Sequence, residues 1–159
     1  MATNYDFAVH LEARVDLNKL TMGDKIVGGT GIVLIIGLLF FPWHSVSAGP
    51  FSESFSALST NNTFWAIIAL LLTIAVVGVV LAEKLGNVDL PDLPIPWNDA
   101  KFYATIAVLA LLLLKLITDT DFLGWGAWVN IILAAGMTYG GFLIKQEGAS
   151  AGSTPPSSF

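Results

Sequence analysis

Hydrophobic residues fall into four long runs along the chain, separated by shorter polar stretches. The runs lie near residues 26–43, 64–82, 102–118 and 125–144. Each approaches the roughly 20 apolar residues that a helix needs to cross about 30 Å of hydrocarbon. The pattern therefore predicts an all-α fold, a bundle of four transmembrane helices.

The polar stretches at the two ends complete the predicted domain organisation. A membrane domain, 26–144, lies between an N-terminal segment, 1–25, and a flexible C-terminal tail, 145–159. A signal peptide carries its apolar core close to its start, whereas the first apolar run here begins near residue 26. We therefore expect the first helix to remain in the protein as an anchor. Residues 9–17 alternate apolar and polar, which is a strand pattern. A lone strand is only marginally stable, so this segment is expected at the membrane surface, disordered, paired with a sheet edge of another chain, or as a surface helix.

Basic residues predict the orientation, because cytoplasmic segments carry an excess of lysine and arginine. In an even-numbered bundle, six of the seven basic residues fall on one side: Arg14, Lys19, Lys25, Lys84, Lys101 and Lys145. The charged residues in the loops of the opposite side are all acidic: Glu53, Asp119 and Asp121. Both termini are therefore predicted to be cytoplasmic.

Tryptophans and glycines predict how the helices sit and pack. An aromatic belt at the membrane interfaces is predicted at Trp43, Trp65, Trp97, Trp125 and Trp128. Glycines let helix backbones approach closely, and the candidates are Gly28 and Gly31 in the first helix and the GxxxG pair Gly136 and Gly140 in the last. Packing within the chain and packing between chains both fit this spacing.

Lys115 is the one charge inside an apolar run, and a lysine at the bilayer centre costs about 2.5 to 3.5 kcal/mol on insertion scales. Asp119 lies four residues on, so an ion pair on one helix face is expected. Asn130 of the last helix lies at a similar depth and is a candidate partner. The three hypotheses for Lys115 are anchoring of the third helix, binding of a ligand or lipid headgroup, and handling of an ion.

Several kinds of chemistry are disfavoured by composition. The chain has no cysteine, which removes thiol and iron–sulfur chemistry, and both histidines, His10 and His44, lie outside the apolar runs. The net charge of −5 comes with no basic stripe for nucleic acid. We find no nucleophile with a base and an orienting group, so no enzymatic activity, metal or cofactor is predicted.

A resemblance to a known group rests on short motifs in three helices. These are Leu20-Thr21-Met22-Gly23-Asp24-Lys25-Ile26, Leu39-Phe40-Phe41-Pro42-Trp43, Leu114-Lys115-Leu116-Ile117 and Gly140-Gly141-Phe142. With them the chain resembles uncharacterised small four-helix integral membrane proteins of actinobacteria and related bacteria. The resemblance implies a bacterial plasma membrane and the four-helix topology, and no mechanism.

The sequence thus predicts a non-enzymatic structural or accessory subunit of a larger membrane assembly, either a hetero-complex or a homo-oligomer. The alternative is a small oligomeric channel or transporter in which Lys115 and Asn130 line a path for an anion. A third hypothesis is a lipid or quinone site between helices 3 and 4. Membrane lipids and membrane proteins are the expected partners.

Overall fold

The computed structural model describes residues 17–60 and 62–152. Its helices are α1, Met22–Phe40; α2, Thr63–Lys84; α3, Trp97–Thr118; and α4, Trp125–Gly152. Each contains a stretch that is long and apolar enough to cross a membrane, judged by length and composition. The protein is therefore mostly helical, as the four hydrophobic runs predict.

The four helices pack side by side around a common core. Helix α4 contacts α1 and α3, and α2 contacts the same two helices from the other side. Each helix contributes a buried apolar side chain, among them Leu34, Val77, Leu112 and Met137. At 22 residues, α2 and α3 are each about 33 Å long. Each is thus long enough for the hydrocarbon of a bilayer.

Two helices begin before the apolar runs that predicted them. Helix α1 begins at Met22, where the hydroxyl of Thr21 accepts a hydrogen bond from the Asp24 N–H at 3.2 Å. The Asp24 carboxylate in turn accepts one from the Thr21 N–H at 3.1 Å, which completes a capping box. Helix α3 begins at Trp97, directly after Pro96, and proline is favoured at helix starts because it lacks an N–H.

The predicted all-α fold is wrong in the connection between α1 and α2. Strand β1, Pro42–Ala48, pairs antiparallel with β2, Phe51–Ser56, through a turn in which Gly49 has a φ of +63°. Proline does not continue the helix, and it is tolerated as the first residue of a strand because it has no N–H to donate. The Ser45 N–H donates to the Phe122 carbonyl at 2.9 Å, so the hairpin is also bonded to the α3–α4 connection.

The first and last helices extend beyond the predicted membrane domain, 26–144. A short 3₁₀ turn, Leu17–Lys19, precedes α1, and the strand-like residues 9–16 lie outside the described residues. Helix α4 continues to Gly152, so the described part of the predicted flexible tail is helical. Residues 153–159 also lie outside the described residues.

Candidate functional site

Lys115 lies in the last turn of α3 and is fully buried. Its ammonium is 3.1 Å from the Asp119 carboxylate, so the ion pair expected from the spacing of four is present. It also donates a hydrogen bond to the Thr60 hydroxyl at 3.0 Å and lies over the Trp43 ring, 5.3 Å from its centroid. The ammonium thus has a carboxylate, a hydroxyl and an aromatic face around it.

The second oxygen of Asp119 connects this pair to the hairpin. His44 of β1 places Nε2 3.2 Å from Asp119 Oδ1. Trp43, His44, Thr60, Lys115 and Asp119 therefore form one group, here called the outer cluster. Its members come from β1, the residues before α2, and the end of α3. The outer cluster ties the end of α3 to the α1–α2 connection.

A cleft of about 500 Å³ adjoins the outer cluster. His44, Thr60 and Asp119 reach its wall, together with Ser59 and Asp121. Since two of these side chains are carboxylic acids, the cleft is better suited to a cation or to water than to an anion. In the described part of the chain, no three His, Asp or Glu residues are grouped so that they could hold a metal ion.

Asn130 does not join the outer cluster. It is fully buried, and neither polar atom of its amide has a hydrogen-bond partner among the described residues. Its Oδ1 lies against Gly37 of α1, where an added Cβ would collide with it. The prediction that Asn130 is a partner of Lys115 is therefore wrong. The depth was estimated from distance along the helix, whereas the side chain faces α1 rather than the end of α3.

The GxxxG pair of α4 packs within the chain. A Cβ on Gly140 would lie 2.9 Å from the Val27 backbone nitrogen, and one on Gly136 would lie 3.4 Å from Thr30 Cγ2, so both glycines face α1. Gly31 of α1 faces Val77 of α2 in the same way. Gly28 differs from the prediction, because a Cβ there would meet no atom of the described chain within 4 Å.

The tryptophans divide into exposed and enclosed side chains. Trp125 and Trp128 are exposed, and Trp65 and Trp97 are half-buried, which leaves their rings available to an interface. Trp43 is fully buried beneath the Lys115 ammonium, so its predicted place in the aromatic belt is wrong. The reason is that β1 begins beside the bundle, and the Trp43 carbonyl accepts a 2.7 Å bond from the Gly124 N–H.

A second buried lysine lies at the opposite end of α3. Lys101 is 3% exposed and forms an ion pair with Glu83 of α2. Beside it, Lys84 lies 3.7 Å from the buried carboxylate of Asp24 in α1. The sequence predicts Lys101 beside the loop before the third helix, as one of the basic residues that mark the cytoplasmic side, and predicts no ion pair for it. The signal that marks its true place is Pro96-Trp97, a helix start five residues before the predicted one.

Comparisons with models of known protein families, with curated proteins and with solved structures find no match to this chain. Function is therefore inferred from the geometry at the two ends of the helices.

Proposed function

We propose that this protein is a non-enzymatic structural or accessory subunit of a larger membrane protein assembly. The observation that carries the proposal is the pairing of the buried charges. Asp24, Lys101 and Lys115 are the buried charged residues of the described chain, and each has an oppositely charged partner inside the chain. The Asp24–Lys84 and Glu83–Lys101 pairs join different helices, and the Lys115–Asp119 pair lies at the end of one helix. Each buried charge is thus held by a partner within the chain, which favours a structural role.

The topology that goes with this proposal is four transmembrane helices with both termini in the cytoplasm of a bacterium. It is supported by the position of the basic side chains. Lys84 and Lys101 pair with Asp24 and Glu83 at one end of the bundle, and Lys145 lies over the rings of Phe102 and Tyr103 near the same end of α3. Cytoplasmic ends of membrane helices are enriched in lysine, so this end is the cytoplasmic one.

The partner surface proposed here is the outer face of α1 and α2. Gly29 and Gly78 are exposed on these helices, and a Cβ at either position would meet no atom of the described chain within 4 Å. Large apolar residues, including Ile36 and Leu71, are exposed on the same helices. Open glycines allow a foreign helix to approach the backbone, which favours association in a membrane.

The two other hypotheses have less support. A path for an anion along Lys115 would pass through a cleft with two carboxylates and past an ammonium that is already paired. A ligand site between α3 and α4 has little room around Thr105, because Thr138 donates to the Thr105 carbonyl at 3.1 Å and a Cβ on Gly141 would collide with the Thr105 hydroxyl. The cleft of about 350 Å³ between these helices lies at the start of α3, beside Lys145 and Gly148. Lys115→Met in liposomes tests the first of them, since a channel would lose a measurable flux.

The deciding experiment is the native mass of the complex extracted in mild detergent, with mass-spectrometric identification of the proteins that co-purify. We expect a stoichiometric second protein or a defined homo-oligomer. Gly78→Leu should reduce that association without a change in thermal unfolding, whereas Ala110→Leu, also on an exposed helix face, should leave it intact. A lone monomer in every mild detergent would overturn the proposal.

A further inference from the structure

The cleft of about 350 Å³ between the start of α3 and the last turns of α4 has a charged side chain on each wall. Asp99 lines it on the α3 side, and Lys145 and Ala149 line it on the α4 side. Farther along the two helices, Gly141 and Thr105 are in close contact and leave no comparable space. The cleft is therefore confined to the helix ends that are proposed to be cytoplasmic.

Lys145 brings a cation to this cleft that has no carboxylate partner among the described residues. Its ammonium lies 5.3 Å from the ring centroids of Phe102 and Tyr103, and its side chain is only half-buried. The rings attract the cation but do not neutralise its charge. Lys101 and Lys115 differ, because both are buried and paired with carboxylates. An anion that enters the cleft can therefore pair with Lys145.

The α3 wall of the cleft adds hydrogen-bonding groups. In the described chain no side chain caps the start of α3, where the N-cap residue is Pro96. The first N–H groups of a helix have no partner within it, so they add to the attraction of Lys145 for an anion. The Asp99 carboxylate can accept a hydrogen bond from a hydroxyl or an amine, but it repels a second negative charge. The cleft therefore suits a singly charged phosphodiester better than a phosphate monoester.

Exposed aromatic side chains lie on the hydrocarbon side of these charges. Phe142 is three residues before Lys145 in α4, and Tyr103 is four residues after Asp99 in α3. Because α4 ends where α3 begins, both rings lie about 5 Å farther into the membrane than the charges do. Both side chains are exposed. Along the membrane normal, the order is therefore apolar rings, then the cation of Lys145, then the start of α3 with Asp99.

We propose that this cleft, here called the α3–α4 site, binds the phosphodiester of a membrane phospholipid. The phosphate lies at Lys145, the acyl chains run along Tyr103 and Phe142, and the outer part of the headgroup reaches Asp99. Basic pockets between membrane helices on the cytoplasmic side are known to hold lipid headgroups. The inference rests on the proposed membrane location and does not depend on a partner subunit, so the native mass experiment and the lipid experiment can fail separately.

The experiment is a lipid titration of the purified full chain in detergent, followed by native mass spectrometry. Phosphatidylglycerol is compared with a diacylglycerol that has the same chains and no phosphate, and we expect phosphatidylglycerol to be retained more strongly. Lys145→Met should lower its affinity roughly fivefold, which corresponds to the contribution of about 1 kcal/mol from a lysine near headgroups. Lys145→Arg keeps the cation and should bind as the natural chain does. Equal retention of the two lipids, or no effect of Lys145→Met, would overturn the proposal.

Matched controls separate this site from a general attraction between charges. Lys25 is an exposed lysine near the start of α1 and does not line the cleft, so Lys25→Met should leave the affinity unchanged. An equal loss in Lys25→Met and Lys145→Met would contradict a specific site.

Steric variants test whether the lipid occupies the cleft itself. Ala149→Phe fills the cleft without a change in charge and should lower the affinity, whereas Gln146→Phe places the same ring on an exposed position outside it and should have no effect. Equal affinities of these two variants would place the lipid elsewhere. A large excess of inorganic phosphate should not displace the lipid, and displacement would identify a site for free phosphate instead.

Discussion

The two ends of α3 each bury a lysine beside a carboxylate, yet they use the charge differently. Lys115 is paired with Asp119 of its own helix and enclosed by β1 and Thr60. Lys101 is paired with Glu83 of another helix and borders an open groove. The same type of side chain is therefore enclosed at one end of the bundle and borders a groove at the other. The exposure of the paired carboxylate accounts for this difference, because the Asp119 side chain is 13% exposed and that of Glu83 is 29% exposed.

Removal of the outer carboxylate is expected to have the largest effect. Asp119→Asn leaves the Lys115 ammonium buried without its counter-charge, and loss of one member of a buried pair typically costs about 3 to 5 kcal/mol. The free energy of unfolding, measured by denaturant titration in detergent micelles, should fall by that amount. The amide of this variant can still accept from His44 Nε2 but carries no charge, so the contact with the hairpin is weakened and the hairpin should become more accessible to protease.

The matched substitution is Glu83→Gln. It lies beside Lys101 at the opposite end of α3, which is here called the inner end. The Lys101 side chain is 2% exposed, so this variant also leaves a buried ammonium without its counter-charge. Because the Glu83 side chain is 29% exposed and water can partly replace it, the free energy of unfolding should fall by less than in Asp119→Asn. An equal loss in both variants would contradict the distinction between a closed outer end and an open inner end.

The second largest effect is expected where α4 crosses α1 near the inner end. A Cβ on Gly140 would lie 2.8 Å from Ile26 Cγ2 and 2.9 Å from the Val27 nitrogen, so Gly140→Leu must push the helices apart. Overpacking of this kind costs about 1 to 3 kcal/mol in the free energy of unfolding. Gly78→Leu is the control, because a Cβ there meets open space. Equal stability of the two variants would mean that the inner end does not depend on backbone contact.

The sequence predicts the features that depend on neighbouring residues. Four apolar runs predict four helices, and the spacing of four predicts the Lys115–Asp119 pair, because both follow from the geometry of one helix. The role of His44 could not be predicted in this way. It depends on contacts of β1 with Leu123 and Asp119, which are distant from His44 in the chain.

Two errors concern the position of a residue on a helix rather than the existence of the helix. The apolar run begins at Phe102, which predicts Lys101 at the edge of the loop, although the helix begins at Trp97. The depth of Asn130 follows from its distance to the helix end, but the face it occupies depends on the rotation of α4 against α1. Hydropathy gives position along a helix, and packing gives rotation about it.

A smaller effect is expected at Asn130, whose buried amide tests the cost of an unpaired polar group inside the bundle. Its amide has no hydrogen-bond partner among the described residues, in contrast to the fully paired Lys115. Asn130→Leu has a similar shape and removes that unpaired group, so the free energy of unfolding should rise by about 1 kcal/mol. The same micelle titration measures it. A fall of similar size would indicate that the amide has a partner in the membrane, such as an ordered water molecule.

The smallest effect is expected at Lys145, a third lysine whose neighbours are aromatic. Its ammonium lies 5.3 Å from the ring centroids of Phe102 and Tyr103, so it joins the end of α4 to the start of α3 by a cation–π contact. At a partly exposed site such a contact contributes about 0.5 to 1 kcal/mol, and Lys145→Met should lower the free energy of unfolding by no more than that. Lys145→Arg keeps the cation and should be neutral. If Lys145→Met were as damaging as Asp119→Asn, the inner end would be held by its lysines as firmly as the outer end is, and the contrast between the two ends would fail.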